Sequence, residues 1–198
     1  VLVVRTGTAN LASVFAALRR IGAEPELTED AHAVAGGAHV VLPGVGALGA
    51  AMNALEPTLI DDALRARIHA GLPTLAICLG MQLLLAGSEE SPGIPALGCV
   101  PGTAKRFIAA GIRVPHLGWN TVSPEAGSRF LEPGYAYFAH SFHVPHKPVG
   151  WKAAWTTHGG PFVSAFERED VLACQFHPEL SGAWGLALMK RWLEKTAC

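Results

Sequence analysis

The stretch that most constrains this chain is Leu75-Ala76-Ile77-Cys78-Leu79-Gly80-Met81-Gln82-Leu83-Leu84. A strand-like apolar run over 73–77 meets Cys78, and a helix-like apolar segment follows from 81 to 86. A side chain placed where a strand turns sharply into a helix stands free at the strand's end. It also lies over the helix N-terminus, whose partial positive charge favours a thiolate. The N–H of Leu79 can aim at the same spot and serve as an oxyanion donor. Hydrolase elbows use this turn with serine, flanked by glycines because space is short. Here Gly80 follows the nucleophile position and Ala76 precedes it. A buried structural cysteine is the other reading of the same residues.

The surrounding pattern sets the fold class. Residues 1–4 read as a strand, and Asn10 is a candidate N-cap for a helix to about Ile21, stopped by Gly22. An extended piece lies at Glu26-Leu27, with a possible helix start at Thr28. A second apolar strand, Val40-Val41-Leu42, is closed by Pro43-Gly44-Val45-Gly46. Helical sequence covers 47–70 in two pieces broken near Pro57, and Gly71 ends it. Continuous apolar strands alternating with helices predict an α/β fold: a mixed, mainly parallel sheet with helices on both faces. After Gly87 short runs at 103–108, 135–139, 151–156 and 163–166, separated by Gly and Pro, read as antiparallel strands. Another strand covers 171–176. A closing helix over 182–195 repeats Trp184, Leu188 and Trp192 at helical spacing. No linker or repeat interrupts the 198 residues, so 1–198 reads as one domain with a sizeable core.

Composition narrows the partners. Half of the chain is apolar and 16% is charged, which is a globular composition. A net charge of −1 without like-charge runs gives no reason for a nucleic-acid or membrane-surface partner. No signal peptide opens the sequence and no apolar run is long enough to span a bilayer. Cys78, Cys99, Cys174 and Cys198 stand far apart, and the histidines lack a paired ligand pattern, so no metal or cofactor is implied. These features together predict a cytoplasmic protein with reduced thiols.

Three further stretches complete a possible site. In Gln175-Phe176-His177-Pro178-Glu179 a histidine follows the 171–176 strand, with a carboxylate two residues on. If that strand neighbours the Cys78 strand, His177 can reach the sulfur and Glu179 can orient the imidazole. The chemistry asks for this, since free cysteine titrates near about 8.5 and an imidazole partner makes it a nucleophile at neutral pH. Protonated imidazole can then serve the leaving amine as general acid. A loop histidine and a solvated acid are the plainer alternative. The glycines around Val45 allow a flipped peptide and a second oxyanion donor, or simply a tight turn. Tyr137-Phe138-Ala139-His140-Ser141-Phe142 is an aromatic strand ending in polar residues. Gly7-Thr8-Ala9 lacks the glycines of a dinucleotide fingerprint.

In combination these stretches resemble the class I glutamine amidotransferases, and within them the glutaminase subunits of imidazole glycerol phosphate synthases. Asn10-Leu11-Ala12-Ser13-Val14 and Val114-Pro115-His116-Leu117-Gly118-Trp119-Asn120 point to that subfamily. The Leu42–Ala47 segment, the Cys78 stretch, Ser88-Glu89-Glu90-Ser91, the 137–142 strand and the His177 motif match in order and spacing. The resemblance implies a Cys78, His177, Glu179 triad that hydrolyses L-glutamine through a thioester. It implies an oxyanion hole at Gly44, Val45 and Leu79, and a glutamine pocket of Gly46, Gln82, Glu90, His140, Ser141 and Phe142. It further implies a (β/α)8-barrel cyclase partner in a heterodimer, faced by Asn10, Trp119 and Asn120. That partner would receive ammonia for histidine biosynthesis and gate the glutaminase by turning the Gly44-Val45 peptide. Glutaminases serving anthranilate or pyridoxal phosphate synthesis, or a silent binding module on this fold, are the alternatives. The chain departs from the family's usual pattern at Arg5-Thr6, Ala9, Ala76 and Leu180. Of these, Ala76 asks for a looser turn and Leu180 removes a lysine from the partner-facing side.

Overall fold

The computed structural model describes residues 1–7 and 10–196. Thr8, Ala9 and Cys198 therefore lie outside the described residues. The strands are β1 (Leu2–Val4), β2 (Glu26–Thr28), β3 (Val40–Gly44), β4 (Thr74–Cys78), β5 (Gly87–Ser88) and β6 (Thr103–Arg106). They continue with β7 (His116–Pro124), β8 (Gly134–His140), β9 (Phe142–His143), β10 (Lys152–Thr157), β11 (Pro161–Arg168) and β12 (Val171–Cys174). The helices are α1 (Leu11–Arg20), α2 (Ala31–Gly36), α3 (Leu48–Leu55), α4 (Ile60–His69), α5 (Leu79–Leu83) and α6 (Gly182–Lys195).

Nine strands form one sheet in the order β2-β1-β3-β4-β12-β11-β10-β7-β8. The strands from β2 to β12 in that order pair in parallel, and those beyond β12 pair antiparallel. Every residue of β3, β4 and β12 is buried, as continuous apolar strands require when both faces are covered. Alternate side chains feed two cores. Leu75 and Ile77 of β4 join Val41, Leu172 and Cys174 with α1 and α6 on one face. Ala76 joins Leu42, Ala173 and the α3, α4 and α5 side chains on the other. The mixed α/β expectation holds.

Some local features depart from the sequence pattern. The helix expected at Thr28 starts after Asp30, whose carboxylate accepts from the His32 N–H at 2.8 Å, while Thr28 ends β2. Asn10 occupies the N-cap of α1 but makes no side-chain cap bond. The helix after Cys78 begins at once with Leu79, ahead of the expected 81–86. Strand β7 is unforeseen, because Pro115 and Gly118 interrupt its pattern and its exposed face carries Leu117 and Trp119. Arg67 is buried and, among the described residues, has no carboxylate partner. It donates instead to the carbonyls of Val34, Ala35, Ala38 and Pro73 and to the Thr74 hydroxyl, locking α4 to α2 and to the start of β4.

Candidate active site

Strand register brings the site together. Gly44 pairs with Cys78 across β3 and β4, and Cys174 pairs with Ile77 across β12 and β4. His177, three residues past Cys174, thus comes to the same sheet end as the cysteine. Cys78 sits at φ 54° and ψ −107°, an unusual backbone for a residue with a side chain. Gly80 makes that turn possible, since a Cβ there would stand 2.0 Å from the Leu42 carbonyl oxygen. Ala76 lies inside β4, fully buried and two residues short of the turn.

His177 is pinned through its backbone. Its N–H donates to Tyr137 O at 2.9 Å, and its carbonyl accepts from the Ser181 hydroxyl at 2.6 Å. Ser181 in turn accepts from the Tyr137 N–H, so β8 holds this histidine in place. The ring Nδ1 bonds Glu179 Oε1 at 2.8 Å, with both side chains buried. Burial disfavours the imidazolium, but the Cys78 and Glu179 side chains outweigh it and raise the His177 pKa to about 10. His177 can therefore hold its proton beside Cys78 and Glu179.

A cavity of about 360 Å³ opens onto these groups. Val45, Gly46, Cys78, Leu79, Gln82, Glu90, His140, Ser141, Phe142 and His177 all contribute to its wall. Gly44 ends β3 opposite Cys78 and does not reach the cavity surface. The helix that follows Gly46 has Ala47 at its N-cap, which offers no oxygen. Its first N–H groups are satisfied from the 88–91 segment, by Glu90 Oε2 to Leu48 at 3.0 Å and Ser91 Oγ to Gly49 at 3.1 Å. Asn10, Trp119 and Asn120 are not in the cavity. Asn10 is exposed before α1, and Trp119 stands on the outer face of β7.

Another part of the site holds two buried imidazoles, His140 of the cavity wall, which the resemblance places in the glutamine pocket, and His116 bonded to it, to which the sequence assigned no role. Asn120 Nδ2 donates to Thr157 O at 3.0 Å and to His116 Nε2 at 3.1 Å. His116 Nδ1 then donates to His140 Nε2 at 3.0 Å, and His140 Nδ1 to Phe142 O at 2.7 Å. Carbonyl oxygens at both ends only accept, so each tautomer follows. Burial pushes His116 down to about 4, helped by neighbouring His158, and His140 down to about 3.

Comparison with known proteins agrees with this geometry. Residues 4–195 match the family described as glutamine amidotransferase class-I. The chain belongs to that family. Imidazole glycerol phosphate synthase subunit HisH of Escherichia coli (strain K12) is 41% identical over 198 residues, covering 98% of each chain. The HisH protein of Salmonella typhimurium is 40% identical over the same coverage. A solved glutamine amidotransferase shares the fold with a TM-score of 0.79 at 22% identity, covering 100% of both chains. Within this amidotransferase fold the cysteine turn and the His177 motif were visible as sequence. The cross-strand pair His116 and His140 was not, because it depends on the β7–β8 register.

Proposed function

We propose that this chain is a glutaminase of one domain spanning 1–198, and that it supplies ammonia to an imidazole glycerol phosphate synthase. The observation that carries the reading is the line of Cys78, His177 and Glu179 at adjoining strand ends, with the sulfur and imidazole facing one cavity. The Cys78 thiolate attacks the side-chain amide carbon of glutamine, and the carbonyl π pair moves to oxygen. Leu79 N–H and the N–H of the Gly44-Val45 peptide receive that oxyanion. As the tetrahedral intermediate collapses, the C–N bond breaks and His177 gives its proton to the departing ammonia. Neutral His177 then takes a proton from water, which attacks the γ-glutamyl thioester. Breaking the C–S bond releases glutamate and restores the thiolate and imidazolium. Glu179 holds the imidazole in orientation and favours its charged form.

Gly46, Gln82, Glu90, His140, Ser141 and Phe142 form the glutamine pocket in this reading. Gln82 spends both its N–H groups inside the protein, on Phe142 O and Gln175 Oε1, which leaves its carbonyl oxygen for a ligand. The partner is a (β/α)8-barrel cyclase in the cytoplasm, and ammonia passes into it without release. It docks on the face that displays Trp119 (58% exposed) and Leu117 (66% exposed), with Asn10 and Asn120 beside that contact. Apolar side chains on the solvent side of β7 support this, since such patches mark binding surfaces. The relatives' name, a synthase subunit, supports it too.

Glutamate release measured with saturating cyclase partner, for the parent chain and Cys78→Ala, tests the activity. A loss to background is expected; equal rates would refute it. Pull-down with the imidazole-forming barrel, against anthranilate and pyridoxal phosphate synthase partners, tests the assignment of the partner.

A further inference from the structure

Gln175 belongs to the His177 motif, yet the reaction as drawn gives it no task. Its side chain is fully buried between Gln82 and the nucleophile. Gln175 Nε2 lies 3.8 Å from Cys78 Sγ, and Gln175 Oε1 accepts from Gln82 Nε2 at 2.9 Å. Which end of a glutamine amide faces which neighbour is decided by its hydrogen-bond partners. Here the decision starts at Phe142 O, which can only accept. It receives His140 Nδ1–H at 2.7 Å and Gln82 Nε2–H at 3.2 Å. Gln82 must therefore turn its NH₂ group inward and offer its second N–H to Gln175. Gln175 must answer with its carbonyl, and this leaves its own NH₂ facing the sulfur. Turned around, the amide would set an oxygen against the sulfur and an NH₂ against an NH₂.

We propose that Gln175 is a further catalytic residue, donating a side-chain N–H to the anionic sulfur of Cys78, with Gln82 and His140 as positioning residues that keep this donor turned toward it. The proposal rests on Cys78 being the nucleophile. A hydrogen bond to a charged acceptor is among the stronger ones, and here it acts in a water-poor site. His177, His140 and Glu90 line the same cavity as Cys78, and Glu179 bonds the His177 ring. Among these, only the protonated His177 donates to sulfur on the cavity side. Gln175 adds a neutral donor from the opposite, buried side, and it stays there whether His177 holds its proton or has given it away. When the C–S bond breaks, the departing thiolate is thus met by two donors, the imidazolium on the cavity side and Gln175 on the buried side.

The test is alkylation of Cys78 by iodoacetamide at neutral pH, localised by peptide mapping, alongside steady-state kinetics with the cyclase partner. Cys99, with its pKa pushed up to about 11 by burial, and Cys174, also raised by burial, give slow backgrounds. Gln175→Glu keeps the acceptor for Gln82 but turns an oxygen toward sulfur. Alkylation is expected to fall about tenfold or more, with kcat following it and KM moving less than about threefold. Gln82→Glu reverses the Gln175 amide and is expected to slow alkylation similarly. Should these buried variants fail to fold, the wild-type chain with ¹⁵N-labelled glutamine decides. A protected side-chain amide assigned to Gln175 must shift when Cys78 is alkylated. An unmoved signal, or Gln175→Glu reacting within about twofold of a reactive wild type, overturns this proposal alone. A wild-type Cys78 no faster than glutathione overturns it together with the nucleophile reading.

Discussion

The cavity has two walls built around buried histidines, and one is charged while the other is neutral. His177 is 5% exposed, His116 5% and His140 6%, so burial presses all three toward the neutral form. His177 nevertheless holds its proton, with its pKa raised to about 10, while His116 and His140 give theirs up, at about 4 and about 3. The difference lies in the partners. His177 faces a carboxylate and a thiol, both able to carry negative charge. His140 and His116 face each other, a carbonyl and an amide, so a second proton would have no acceptor. Equal burial thus yields a charged acid–base group on one wall and a rigid neutral scaffold on the other. Partner chemistry outranks burial in setting the state of an imidazole here.

The largest effect should come from Glu179→Gln, which keeps an acceptor for His177 Nδ1 but removes its charge. The imidazolium loses its carboxylate partner, and kcat for glutamine hydrolysis with the cyclase partner is expected to drop by about 10²–10⁴. A drop smaller than about threefold would show that the charged wall does not depend on this carboxylate.

Acid unfolding comes next. His116 and His140 have folded pKa values far below the unfolded value of about 6.5. Between those limits the unfolded chain binds more protons, so their contribution is complete above about pH 6.5 and lost as pH falls toward about 4 for His116 and about 3 for His140. Denaturant midpoints should fall across that window by the equivalent of a few kcal/mol. His177 acts with the opposite sign, since its contribution is full below about pH 6.5 and lost as pH rises toward about 10. A flat acid limb would erase the contrast between the walls. His116→Gln sharpens it, because the amide can still donate to His140 but does not titrate, and the acid slope should become shallower. His116→Leu strands the His140 acceptor and should cost about 1–3 kcal/mol at neutral pH, measured by urea unfolding.

The two walls were not equally visible in the sequence. Cys78, His177 and Glu179 announce themselves locally, because a strand end followed by glycine and a strand end followed by His-Pro-Glu are short-range signals. Their meeting then follows from the parallel neighbours β4 and β12, which continuous apolar runs predict. The neutral wall depends on long-range register. His116 lies opposite His140 across β7 and β8, 24 residues away in the chain. Strand β7 hid itself by placing Leu117 and Trp119 outward and His116 and Asn120 on the inward face, reversing the usual apolar pattern. Gln175 was visible as a letter of the motif, but its orientation depends on Phe142 O, a backbone atom that no side-chain pattern records. Helix α3 shows the same limit. Its N-terminus is capped by Glu90 and Ser91 from a distant segment, where the local Ala47 has nothing to offer.

The smallest change that should break the contrast is Asn120→Asp. Asn120 now gives one N–H to His116 Nε2 and the other to Thr157 O. An aspartate at this place can only accept, so it asks His116 to carry a proton on Nε2. His116 must still donate from Nδ1 to keep its bond to His140, and only the imidazolium can do both. The substitution therefore rebuilds on the neutral wall the arrangement that His177 enjoys with Glu179. Histidine side-chain NMR should show His116 titrating higher by about one to two pH units, near the ordinary imidazole range, with His177 unmoved as the internal control. Loss of the bond to Thr157 O should lower stability at neutral pH by about 1 kcal/mol. If His116 titrates at the same place in both proteins, burial alone keeps this wall neutral, and the identity of the hydrogen-bond partner does not decide it.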